Sequence, residues 1–223
     1  MVLSAKIYEV REKQPIRSLA RKLFNYRVEE EEEGRRLITE ITDLEVAGRR
    51  LRGVYSKDMI IFINRRGEKT PTLITRESPF TFTEYDDRLL LTIIGKKNWA
   101  NYVANELSKI LFITIGNIVE VKIKAETLRR YHEENPEGTK VIFFDNVDIP
   151  NVDKLSLYGP DLMNTTLYNQ YLSHGNIWYI VATSRKFGYI IGITRNCVIT
   201  AFSKISEYDF MRFIEEEIYP LIS

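Results

Sequence analysis

The sequence predicts an α+β protein built around a large antiparallel sheet, with helices on one face of that sheet. Short apolar runs separated by turn residues fill residues 35–95, which is the pattern of an antiparallel meander. Apolar residues spaced three and four apart mark helices on both sides of that region and at the C-terminal end. With 223 residues, 44% of them apolar, the chain is long enough to bury a core without disulfides or metals.

The first predicted element is a strand over Val2–Val10, in which apolar residues alternate with polar ones. A helix is expected next, because Pro15 suits a first helical turn and residues 16–24 carry apolar side chains at helical spacing. The five consecutive acids Glu29–Glu33 repel one another, so we expect them to form a solvated loop.

The strands of the meander are separated by glycines, by Pro79 and by the pair Asp86–Asp87. They are predicted at Leu37–Val46, Val54–Tyr55, Met59–Ile63, Thr70–Thr75, Phe80–Tyr85 and Leu89–Ile94. One apolar face at spacings of three, four and seven then predicts a helix over Lys97–Phe112.

The second part of the chain starts again with a strand, Ile118–Lys124, and a helix, Ala125–Glu134, which ends before Pro136. Further strands are predicted at Lys140–Phe144, Ile177–Thr183, Phe187–Thr194 and Val198–Phe202. An amphipathic helix over Glu207–Leu221 ends the chain.

The two parts share the order strand, helix, antiparallel strands, helix, which suggests an internal duplication with halves at residues 1–112 and 113–223. At an offset of 111 residues, the strand at 7–13 matches 118–124, and the helix at 102–111 matches 213–222. A non-repetitive α+β fold is the alternative. The tandem unit resembles the topology of TATA-binding proteins, an analogy of fold that implies one continuous sheet with a free face and does not fix a function.

Composition excludes several classes of protein. The 32 Lys and Arg residues nearly balance the 31 Asp and Glu residues, which excludes a histone-like or an acidic-tail chain. Cys197 is the single cysteine, so no intramolecular disulfide or cysteine-rich zinc site can form. The N-terminus lacks the apolar stretch of a secretion signal, and no apolar run has membrane-spanning length. We therefore expect a cytoplasmic protein without membrane contact.

The residue usage is typical of heat-stable proteins. Lys, Arg and Glu are abundant, whereas the chain has only 2 glutamines and 1 cysteine among its 223 residues. We expect a thermophilic, archaeal source, and thermal melting above about 60 °C would agree with it.

The clustering of basic residues in one part of the chain predicts that the protein binds nucleic acid. Residues 46–76 carry 8 bases and 2 acids, with arginines at predicted turns, where guanidinium groups can reach phosphate oxygens. The predicted nucleic-acid-binding residues are Arg49, Arg50, Arg52, Arg65, Arg66 and Lys69, extended by Arg17, Arg21 and Lys22. Tyr55 and Phe62 would stack on bases if they were exposed. In the competing interpretation, these arginines pair with Glu29–Glu33 and other acids on the charged surface of a thermophile protein.

No catalytic or metal-ligating residue and no cofactor is predicted, since no phosphate-binding loop, dinucleotide fingerprint or nucleophile elbow occurs. Glu120-Val121-Lys122 matches half of a metal-dependent nuclease motif, but the acid on a neighbouring strand that Mg²⁺ would need is missing. The sequence therefore predicts a non-enzymatic protein that binds nucleic acid, DNA rather than RNA. The alternative is a protein–protein adaptor or a dimerising scaffold.

Overall fold

A computed structural model describes residues 2–223, so residue 1 of the predicted half 1–112 lies outside the described residues. The chain has an α+β fold with extensive antiparallel sheet and five α-helices among the described residues, which confirms the predicted fold class. It divides into two compact units. The N-terminal unit comprises residues 8–119, and the C-terminal unit comprises residues 2–7 and 120–223.

The N-terminal unit is a meander of consecutive strands with two helices. Strand β1 (Leu3–Val10) contributes residues to both units. The elements that follow are α1 (Ile16–Leu23), β2 (Arg27–Glu32), β3 (Arg35–Ala47), β4 (Arg50–Arg65), β5 (Glu68–Tyr85), β6 (Arg88–Ile94) and α2 (Lys97–Phe112). Each strand from β2 to β6 pairs antiparallel with the next, and helix α2 has the predicted bounds.

Two-residue turns join these strands. Glu33-Gly34, Arg66-Gly67 and Asp86-Asp87 have positive φ at both positions, the conformation of a type I′ hairpin turn. In the fourth turn, Gly48-Arg49, only Gly48 has a positive φ, as in a type II′ turn. These turns match the twist of the strands, so the register of the whole meander is set locally.

The acidic run was expected to be a loop, and this prediction is wrong, because residues 27–32 form strand β2. The turn Glu33-Gly34 folds the run back onto β3, whose first residues, Arg35 and Arg36, lie opposite Glu32 and Glu31. Opposite charges across a strand pair offset the repulsion between neighbouring acids. All six residues of β2 are exposed.

Strands β4 and β5 are longer than predicted. Residues 56–58, expected as a connection, lie inside β4, where the Asp58 carboxylate accepts hydrogen bonds from the Ile38 amide (3.0 Å) and the Thr75 hydroxyl (2.6 Å). Pro79, expected as a turn, lies inside β5. The ladder between β5 and β6 begins only at Phe80, so the missing N–H group of Pro79 leaves no bond to β6 unmade.

The core of the N-terminal unit lies between one face of its sheet and the two helices. Leu51 and Tyr55 on β4 and Phe80 and Phe82 on β5 are buried, together with Leu19 of α1 and other apolar residues of both helices. Alternate residues of each strand point to the opposite face, away from α1 and α2, and on β5 and β6 these include the buried residues Thr81, Thr83 and Thr92. We call that second face the helix-free face.

The C-terminal unit combines β7 (Ile118–Glu120) and residues 2–7 of β1 with five further antiparallel strands and three helices. Its remaining elements are α3 (Ala125–Glu133), β8 (Thr139–Asp145), β9 (Leu155–Tyr158), α4 (Thr166–His174), β10 (Asn176–Thr183), β11 (Ile190–Thr194), β12 (Val198–Ala201) and α5 (Glu207–Phe213). Two further helical turns extend α5 to Leu221, the predicted end. In the sheet, β1, β12, β11, β10, β8 and β9 are successive neighbours.

Helix α3 places a histidine in the core of the C-terminal unit. The His132 ring is fully buried and packs edge-on against Tyr168, with 4.9 Å between ring centroids. Neither ring nitrogen has a hydrogen-bond partner among the described residues. Burial therefore favours the neutral ring and lowers the pKa of His132, against a smaller opposing effect of Glu133.

We expect the pKa of His132 to make the C-terminal unit sensitive to acid. Below a pH of about 6.5 the unfolded histidine binds a proton that the folded one resists, so the free energy of unfolding falls as the pH falls. Replacing His132→Phe keeps the ring packing and removes this proton linkage. Melting from pH 7 to pH 5 should therefore affect the variant less than the wild type, and equal sensitivity would contradict the assignment.

Candidate nucleic-acid interface

Three predicted arginines lie together at the turn between β3 and β4, and we call Arg49, Arg50 and Arg52 the arginine turn. Arg49 occupies the turn itself, and its Nε lies 3.7 Å from Glu84 Oε2. Arg50 and Arg52 are two residues apart on β4, so both point away from Leu51 and onto the helix-free face.

Threonines of β5 lie directly beside these arginines. Thr83 is opposite Arg50, Thr81 is opposite Arg52, and Thr92 on β6 continues the row from Thr81. Arg52 forms no ion pair with any described residue, and the pair of Arg49 with Glu84 is long and solvent-exposed. Arg52 therefore offers its guanidinium group to an anion at one end of the helix-free face, with the solvent-exposed Arg49 beside it.

The second predicted group, Arg65, Arg66 and Lys69, lies at the opposite end of β4. About 15 residues of extended strand, or roughly 50 Å, separate it from the arginine turn. All three side chains are exposed, and within residues 2–223 none of them forms an ion pair. The structure therefore divides the basic cluster read from the sequence into two separate sites.

The bases of α1 lie on the other side of the sheet from Arg50 and Arg52, because α1 packs on the core face. Arg17 and Arg21 are exposed there. Lys22 donates to Leu111 O (2.7 Å) and to Gln14 Oε1 (2.9 Å), which ties α1 to the end of α2. The structure does not bring these three bases together with the arginine turn.

The acids of β2 have partners other than the predicted arginines. Glu29 pairs with Arg27 and Arg36, and the hydrogen bonds from Arg36 and Arg27 lower the pKa of its carboxyl group. Among the described residues, Glu30–Glu33 form no ion pair with either arginine group. The acidic run therefore does not neutralise the turn arginines, and the competing interpretation is supported only by the exposed pair of Arg49 with another acid, Glu84.

Sequence reasoning missed a stack of cationic and aromatic side chains between the sheet and α2. Arg76 lies over the Trp99 ring (4.2 Å), Trp99 stacks on Tyr102 (5.0 Å), and Tyr102 accepts a 2.7 Å hydrogen bond from Lys57. That hydrogen bond raises the pKa of Lys57. The spacing of Trp99 and Tyr102 on α2 was visible in the sequence, but their cationic partners come from strands paired in register.

The two aromatic residues predicted to stack on bases differ in exposure and position. Tyr55 is fully buried in the core, so it cannot stack on bases, whereas Phe62 is 59% exposed. Phe62 lies toward the distal end of β4, near Arg65 and Arg66 rather than near the arginine turn.

Other chemistry-bearing residues are engaged in structural contacts. Glu120 of the partial nuclease motif pairs with the buried Lys6. Asp145 pairs with Arg195, and Asp148 lies 2.7 Å from His174 Nδ1. Within the described residues, no three His, Cys, Asp or Glu side chains are grouped as a metal site.

Comparison with known proteins adds no assignment. No protein-family model matches the chain, and no curated protein matches its sequence. In residues 2–223, none of the helices is both long and apolar enough to cross a membrane.

Proposed function

We propose that the N-terminal unit binds nucleic acid, without catalysis, through the arginine turn and the adjoining helix-free face. The observation that carries this proposal is the placement of Arg49 in the turn between β3 and β4 and of Arg52 on the adjoining strand, where Arg52 forms no ion pair with any described residue. Planar guanidinium groups hold phosphate oxygens in bidentate hydrogen bonds, and such contacts position a protein on the nucleic-acid backbone.

The buried position of Tyr55 favours a duplex over a single strand, because single-strand binding uses exposed aromatic platforms. We propose a DNA rather than an RNA duplex, as expected from the sequence. Contacts to phosphates position a protein without reading bases, so we expect weak sequence preference.

We also propose that the two predicted halves, 1–112 and 113–223, arose by duplication and share a topology like that of TATA-binding proteins. In support, the first half has the order β1, α1, five strands, α2, and the second has β7, α3, five strands interrupted by α4, and α5. A free sheet face is what that analogy implies for a nucleic-acid contact.

Binding to a labelled random-sequence DNA duplex, followed by fluorescence anisotropy, tests the proposed function. Affinity should fall by about ten-fold or more between roughly 50 and 200 mM salt, because each neutralised phosphate releases counterions. A variant with Arg49, Arg50 and Arg52 changed to alanine should bind more weakly at every salt concentration and show a shallower salt dependence.

Changing Lys13, Lys96 and Lys97 to alanine provides a matched control. These lysines are exposed in the same unit, beside the N-termini of α1 and α2, and their loss removes the same charge. If both triple variants weakened binding equally, the effect would depend on net charge and not on the position of the arginines. Absence of binding by the wild type at low salt would refute the proposal.

A further inference from the structure

The distal parts of β4 and β5 form a two-stranded arm with which no third strand among the described residues pairs. The ladder from β3 to β4 ends at the pair Thr39–Lys57, and the ladder from β5 to β6 begins at Phe80. Beyond Lys57, the two strands pair only with each other, from Asp58–Thr75 to Arg65–Glu68. This arm, residues 58–75, is about 25 Å long.

Apolar side chains occupy both faces of the arm. On one face Ile60 lies opposite Leu73 and Phe62 lies opposite Pro71, and on the other face Ile61 is 36% exposed. Phe62 and Leu73 are 59% and 44% exposed. A two-stranded ribbon is marginally stable alone, and open strand edges with apolar faces favour association. The arm therefore has the character of a surface that another molecule covers.

The charges around the arm are self-complementary but do not meet within one chain. The tip of the arm carries Arg65, Arg66 and Lys69, with Glu68 as its single acid. Its apolar stem lies beside the acidic end of β2 and β3, since Arg35 of that hairpin donates a 3.3 Å hydrogen bond to Pro71 O. Glu30–Glu33 are exposed there and form no ion pair within residues 2–223.

We propose that two copies of this chain associate through their arms, packed antiparallel about a two-fold axis. In that arrangement each basic tip extends past the partner copy's tip to its stem, where the acidic end of the partner's β2 lies. The apolar stems cover each other, and both charge contacts form twice, as an isologous interface requires. This inference is independent of nucleic-acid binding.

The observations favour a second copy over a polyanion. A nucleic acid would neutralise the tip but would be repelled by the acids of β2, and it would leave the apolar stem uncovered. A second copy would cover the apolar stem with its own stem. It would also place its acidic β2 against the basic tip and its basic tip against the acidic β2.

Sedimentation velocity of the full chain over a range of protein concentrations tests the inference. We expect a dimer at about 10 µM, with association weakened at least ten-fold by the double substitution Phe62→Ser and Leu73→Ser. Phe24→Ser and Val46→Ser remove two apolar side chains of the same unit that are similarly exposed but lie outside the arm, and they should leave the dimer intact. Thermal melting checks that each variant is folded.

A charge exchange gives a second, independent test. Changing Arg65 and Arg66 to glutamate should weaken the dimer, as should Glu31→Lys with Glu32→Lys, whereas the combination should restore it. A wild type that stays monomeric, or a dimer indifferent to both sets of variants, would overturn the inference. So would a monomer that uses Phe62 to bind anionic vesicles or duplex DNA, since the arm would then have a different occupant.

Discussion

Replacing Phe80 with alanine is expected to lower the free energy of unfolding by about 3–5 kcal/mol, the largest effect we expect from a single truncation in the N-terminal unit. Phe80 is 1% exposed and packs edge-on against Phe82, with 5.8 Å between ring centroids. The ring also covers Gly53 of β4, so the truncation would leave a cavity between two paired strands. Chemical denaturation followed by tryptophan fluorescence gives the free energy directly.

Phe24→Ala is the matched control, because the same truncation at a side chain that is 68% exposed should change stability by no more than about 0.5 kcal/mol. Gly53→Ala provides a second check. A methyl group there would lie 2.7 Å from Phe80 Cζ and 3.0 Å from Leu44 Cδ1, so it should cost about 1–3 kcal/mol. Combined with Phe80→Leu, that cost should shrink, and strictly additive effects would contradict the contact.

Glu120→Ala is expected to destabilise the C-terminal unit by about 3 kcal/mol, since it leaves the ammonium group of Lys6 without its carboxylate. Lys6 is completely buried in strand β1, and Glu120 is its partner in β7. Lys6→Met keeps the volume of the side chain and removes the buried charge, so it should cost much less. Thermal and chemical unfolding of the two variants side by side would measure the difference.

Comparing the loss of stability in Glu120→Ala with that in Lys6→Met shows whether the charge pair or the lysine stem stabilises the strand. A larger loss in Lys6→Met than in Glu120→Ala would mean that the lysine stem, rather than the charge pair, stabilises the strand. The expected order also bears on the nuclease hypothesis. A loss of activity in Glu120→Ala would reflect a damaged fold unless the variant were shown to be as stable as the wild type.

Strong local signals in the sequence predicted the elements that the structure confirms. Helix α2 has the predicted bounds because sixteen residues carry one apolar face at a constant period. The Asp86-Asp87 turn was recognisable from its turn chemistry. Strand β2 could not be predicted in this way, because it pairs with arginines that follow a two-residue turn. The repulsion between consecutive acids, considered alone, favoured a loop.

The candidate site shows a different limit. Arg52 and Arg65 are close in the sequence, but an unbroken strand holds them far apart, and only the length of β4 reveals this. Whether Tyr55 or Arg52 faces the core depends on the register of three strands, because one step along a strand reverses the face. The stack of Arg76 on Trp99 joins a strand to a helix and leaves no local pattern in the sequence.

The pairing of Leu3 with Ala201, and of Lys6 with Val198, has a consequence for synthesis of the chain. Every strand from β3 to β6 pairs with its immediate predecessor, so the meander of the N-terminal unit can form while the ribosome is still adding later residues. Residues 3–6 must wait for a partner made almost two hundred residues later. Contacts of such high sequence separation form slowly, so the pairing of β1 with β12 is completed only after β12 has been synthesised.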